Sequence, residues 1–138
     1  MTEIDLVRMR RMIREIERLK WKIEKEQAYA TRSSAALSEL PWGRGNRSRV
    51  EEGAIRLVEL KEVYFEIIEK LAAMRKELDP LISTLDNADD RAVMRLRYIK
   101  GYRPEVISNA VCLTDRMVYY ILRRAEDALA RRFPQKFQ

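Results

Sequence analysis

The chain has no histidine, one cysteine, and only four glycines and four prolines among its 138 residues. Without histidine it lacks the side chain that most often acts as general base, metal ligand or physiological pH switch. A single thiol, Cys112, excludes an internal disulfide and fits a reducing compartment. No uncharged apolar run approaches the roughly 18 residues that a membrane span needs. Glu3 and Asp5 precede the first apolar residues and no small-residue cleavage site follows, so the expectation is a cytoplasmic protein. Cys112 has no base beside it and no serine has an evident partner, which argues against an enzyme; no cofactor is implied.

Charge is abundant. Charged residues make up 36% of the chain and the formal net charge is +6, which points to a polyanionic partner such as nucleic acid or an anionic membrane surface. The distribution is uneven. Residues 51–85 carry five basic and eight acidic groups, net −3, whereas 86–138 carry eleven basic and seven acidic, net +4.

Few helix breakers and a 3-4 apolar spacing predict an all-α fold. Leu6, Met9, Ile13, Ile16, Leu19 and Ile23 mark a long amphipathic helix over 3–31. Residues 32–48, with Pro41, Gly43 and Gly45, read as a loop in which Trp42 docks on the helices. Ser48 would cap the next helix, with Glu51 completing a capping box. The second stripe runs Leu57, Leu60, Tyr64, Ile67, Leu71, Met74, Leu78. Pro80 is expected to kink or restart that helix. Matched lengths and one connection predict an antiparallel, coiled-coil-like hairpin over 1–85. Both stripes are wider than a two-helix seam. Self-association into a four-helix bundle would cover the remainder through Leu57, Leu60, Tyr64, Ile67, Leu71 and Met74, and so would the C-terminal unit folding back. A dimer is the favoured reading.

Residues 86–138 read differently. The acidic cluster Asp86-Asn87-Ala88-Asp89-Asp90 suits a helix N-terminus better than a metal site, because no further acid spacing completes a ligand set. Gly101 suits a left-handed helix end and Pro104 a helix start. A helix over about 104–111 would present Val106, Ile107, Ala110 and Val111 inward. After the turn 112–114, Thr114 would cap a helix whose inner face is Val118, Ile121, Leu122, Ala125 and Leu129. A short helix, a tight turn and an Arg-rich helix predict a helix-turn-helix for the major groove. The candidate DNA contacts are Arg103, Thr114, Arg116, Met117, Tyr119, Tyr120, Arg123 and Arg124. Arginine grips guanine bidentately, while tyrosine more often reaches phosphate or a thymine methyl.

These residues also resemble a known pattern. Arg91, Leu96-Arg97-Tyr98, Gly101, Glu105, Ile107, Thr114, Val118, Arg124-Ala125 and Leu129 resemble region four of bacterial sigma factors. With the long helices and Leu37-Ser38…Pro41 ahead of them, the whole chain looks like the ArpU/RinA-type phage transcriptional regulators. That resemblance implies a prophage late-gene activator that binds double-stranded DNA as an oligomer, with RNA polymerase as a further candidate partner. The family pattern has Ala where Ser108 stands and Gly or Asn where Cys112 stands, which bears on the angle between the two helices. Two alternatives remain open: a small-terminase-like packaging or scaffold protein, and a sigma-like module whose partner is RNA polymerase.

Overall fold

A computed structural model describes residues 3–39 and 44–137, with the side chains of 33–48 left aside. The described residues are helical throughout their regular structure. Helix α1 spans Leu6–Glu39 and α2 spans Arg44–Ile82. Then come α3, Ala88–Met94, running directly into a π-helical turn, Arg95–Ile99, and finally α4, Pro104–Val111, and α5, Asp115–Arg132. No described helix is long and apolar enough to cross a membrane.

Two expectations about the long helices are corrected. The loop expected over 32–48 is helical at 32–39 and again from Arg44. Ala35, Ala36, Leu37 and Glu39 are good helix formers, and they outweigh the serines that suggested a loop. Ser48 therefore lies inside α2 and not at its start, while Trp42 lies outside the described residues. Of the kink or restart expected at Pro80, the restart does not occur, since α2 runs on to Ile82. So close to the helix end the missing donor forfeits one bond, the one the Lys76 carbonyl would have accepted, while the Asp79 carbonyl accepts normally from the Ser83 amide and also from its hydroxyl.

The chain divides into two compact units, and the division is not at 85/86. One unit comprises 1–13 with 70–138, the other 14–69. The domains expected as 1–85 and 86–138 thus exchange material. The start of α1 and the last third of α2 belong with the C-terminal helices.

The first unit holds a continuous apolar core. Met9, Met12 and Ile13 of α1 and Leu71, Met74, Leu78, Leu81 and Ile82 of α2 are buried, as are Val93, Met94, Tyr98, Ile107, Val118, Ile121 and Leu129. Asp5 starts α1, its carboxylate accepting from the Arg8 amide at 3.0 Å. An isolated bridge between Ile4 and Phe137, with the Ile4 amide donating to the Lys136 carbonyl at 2.8 Å, ties the two terminal segments together. Helices α3 and α4 both pack against α5. Leu71 and Met74, expected to mediate oligomerisation, are 1% and 4% exposed and belong to this core.

The second unit is packed less completely. Leu19 and Ile23 of α1 are buried, but Leu57, Leu60, Tyr64 and Ile67 of α2 are only half-buried.

Candidate nucleic-acid interface

Helix α4 starts at Arg103, which is extended, with Pro104 in the first turn where its missing N–H costs nothing. Helix α4 ends at Cys112, which is left-handed at φ +56°, ψ +42°. The amides of Cys112 and Leu113 both donate to the Ser108 carbonyl, closing the helix end. Ser108 is itself buried, its hydroxyl donating to the Glu105 carbonyl at 2.8 Å. Of the residues expected to face inward on α4, Ile107 is buried, but Val106 is 49% exposed and Ala110 is exposed as well.

Thr114 then returns to extended backbone and caps α5. Its hydroxyl oxygen accepts from the Met117 amide at 3.2 Å and its carbonyl from the Val118 amide. The cap thus engages the side chain expected to meet DNA. Val118, Ile121, Leu122, Ala125 and Leu129 are all buried, as their spacing required. The opposite face of α5 carries Arg116, Tyr119, Tyr120 and Arg123, at i, i+3, i+4 and i+7, all exposed. Met117 flanks it, also exposed.

Hydrogen bonding and ion pairing separate most arginines of the C-terminal helices into two kinds. Arg91 donates to the Leu85 carbonyl, Arg95 to Asp79 and Ser83, and Arg97 to the Tyr102 carbonyl. Arg132 donates to the Thr84 carbonyl and lies 3.7 Å from Asp86. Arg124, expected to contact DNA, is bound to the buried carboxylate of Asp90, and this hydrogen bond holds its guanidinium pKa up. These five hold the fold. Among the described residues, Arg116, Arg123 and Arg131 make no hydrogen bond or ion pair.

The two tyrosines also differ. The Tyr119 hydroxyl donates to Glu105 of α4 at 3.3 Å, and slight desolvation, then the nearby carboxylate, push its phenol up. Tyr120 lies against the Arg124 guanidinium, 5.4 Å from ring centre to carbon. Tyr119 is thus partly committed to α4, and Tyr120 is the more outward of the pair.

A buried polar group that the sequence did not announce holds α5 in place. Tyr98, in the π-helical turn, donates its hydroxyl to Glu126 of α5. Arg10 of α1 donates to the same hydroxyl at 2.7 Å and to Glu126 at 3.3 Å. Burial foremost, and then the Glu126 charge, drives the Tyr98 phenol well above its ordinary value. Arg75 donates to the Tyr98 carbonyl at 2.7 Å, and its burial lowers its pKa. The partners lie 23, 28 and 88 residues from Tyr98 along the chain, so no local pattern could pair them.

The acidic cluster at 86–90 resolves into capping and pairing. Asn87 caps α3, its side chain accepting from the Asp89 amide at 2.8 Å, and Asp90 takes Arg124.

No curated protein and no solved structure matched this chain. One family model did, over residues 32–130, and its description is a protein of unknown function, DUF1492. That match takes in the end of α1, all of α2 and the later helices to within two residues of the end of α5, so the chain belongs to the DUF1492 family.

Proposed function

We propose that this chain is a sequence-specific, double-stranded-DNA-binding transcriptional regulator of the ArpU/RinA type, with α4, the turn 112–114 and α5 acting as a helix-turn-helix. The observation that carries the reading is the unpaired state of Arg116 and Arg123 on the outward face of a capped helix, in a unit whose other arginines are mostly engaged. Long side chains left unpaired beside exposed Met117 and Tyr120 are available to base edges and phosphates. Arg103 and Arg131 lie beyond that face as candidate phosphate contacts. The family's association with phages accords with a prophage role. The long helices α1 and α2 form a hairpin that self-associates, and paired units read paired half-sites.

Footprinting on the source genome tests the reading, followed by binding to the protected site and to scrambled DNA. Arg116→Ala is expected to lose roughly 1–3 kcal/mol of preference for the protected site. Arg131→Ala is expected to weaken binding to both DNAs alike. An unchanged specificity ratio for Arg116→Ala removes α5 as the reading helix.

A further inference from the structure

The unit formed by residues 14–69 carries two complementary surfaces at once. The first is a groove of about 580 Å³ with an apolar floor of Leu19, Leu60 and Val63, edged by Trp21; its α1 rim carries Lys22, Lys25 and one acid, Glu26, so that rim is net positive. Lys25 lies 4.4 Å from the centre of the Trp21 ring, which orders that rim. The second is an outer stripe of α2. Ile55, Val58 and Phe65 are 59%, 56% and 59% exposed, and by helical periodicity Glu62 and Glu69 fall on the same face. The same α2 segment also half-buries Leu57, Leu60, Tyr64 and Ile67 on its other side, so it is apolar on two faces. One neighbouring helix cannot cover both.

Charge identifies what covers them. Residues 14–32 of α1 hold six basic and four acidic side chains, net +2, while residues 49–69 of α2 hold three basic and six acidic, net −3. The α2 stripe of one molecule therefore matches the α1 rim of another in sign as well as in apolar character.

We infer that the occupant is a second copy of this chain. A two-fold axis seats Ile55, Val58 and Phe65 of each copy in the Trp21–Val63 groove of the other, with Glu62 and Glu69 facing Lys22 and Lys25. Because each copy supplies both surfaces, the two contacts form together and the assembly closes at two. This rests on the oligomer clause of the reading above, and it moves the interface from Leu71 and Met74, which the chain buries itself, to residues 19–25 and 55–69.

The test is a charge exchange on the full-length protein, read by multi-angle light scattering at micromolar concentration. Wild type is expected at twice 16.4 kDa. Lys22→Glu/Lys25→Glu and Glu62→Lys/Glu69→Lys are each expected at the monomer mass alone, because like charges then face each other in both contacts. Mixed one to one, the two variants restore the dimer mass, since each contact regains opposite charges. Variants that merely misfold do not recover on mixing, and failure to recover overturns the pairing. A monomeric or larger-than-dimeric wild type overturns it too. Genomic footprints measured on the same samples keep the two ideas apart. A monomer that still protects a specific site sinks the dimer and leaves DNA recognition standing, and a dimer that protects none does the reverse.

Discussion

The hydroxyl of Tyr98 donates to the carboxylate of Glu126, joining the π-helical turn after α3 to the middle of α5. Arg10 closes the triangle from α1. Tyr98→Phe keeps the ring in the core but strips Arg10 and Glu126 of their shared partner. The expected cost is about 1–3 kcal/mol in urea unfolding, the penalty for partly buried polar groups left short of a hydrogen bond. Glu126→Gln, which can still accept, is expected to cost less.

The same cluster gives a pH dependence. The folded phenol of Tyr98 holds its proton to higher pH than the unfolded one. Above about pH 10 the unfolded chain releases that proton first, so stability present below pH 10 is lost as pH rises. Wild type is expected to lose stability between pH 9.5 and 11 more steeply than Tyr98→Phe. Parallel profiles for the two proteins would show that Tyr98 does not carry the effect.

Cys112 adopts a left-handed backbone with a side chain attached, among the described residues the one non-glycine to do so. Left-handed geometry costs an L-residue roughly 1–2 kcal/mol. Cys112→Gly is therefore expected to raise the thermal midpoint, offset in part by the greater freedom of glycine in the unfolded chain. Gly101 gives the opposite result. Its φ is +78°, and an added Cβ would lie 3.2 Å from a terminal nitrogen of Arg75 and 3.5 Å from Ile13, so Gly101→Ala is expected to destabilise.

The Asp90–Arg124 pair withholds one arginine from the surface of α5. Asp90→Ala is expected to lower stability by about 1–2 kcal/mol, a modest figure because the Arg124 end of the pair is substantially exposed. On DNA the released guanidinium is expected to add a phosphate contact, steepening the slope of log affinity against log salt by about 0.9. An unaltered slope at reduced stability would leave the pair a purely structural device.

Leu71 and Leu57 lie on one sequence stripe but in different units. Leu71→Ala is expected to cost about 2–5 kcal/mol, as for a fully buried leucine, and Leu57→Ala clearly less. Equal losses would contradict the difference in burial.

The sequence alone determined that the chain is helical, though not where α1 ends and α2 begins, and within α5 it determined which side is buried. Val118, Ile121, Leu122, Ala125 and Leu129 recur at the helical period, and a helix with one apolar stripe has one way to face a core. Gly101, Pro104 and Thr114 were legible as punctuation because each satisfies a backbone requirement set by its immediate neighbours. The stripe of α2 was equally visible, yet its periodicity said nothing of what covers it. Only the tertiary structure decided that Leu71 and Met74 close a core with the start of α1 and the C-terminal helices, while Leu57 to Ile67 stay half-covered. It alone divided the arginines, sending Arg124 to Asp90 and Arg10 to Tyr98 while leaving Arg116 and Arg123 unpaired. Backbone geometry repeats every few residues and can be read locally. A salt bridge joins side chains that only folding brings together, and a separation of 34 positions between Asp90 and Arg124 leaves no local trace of it.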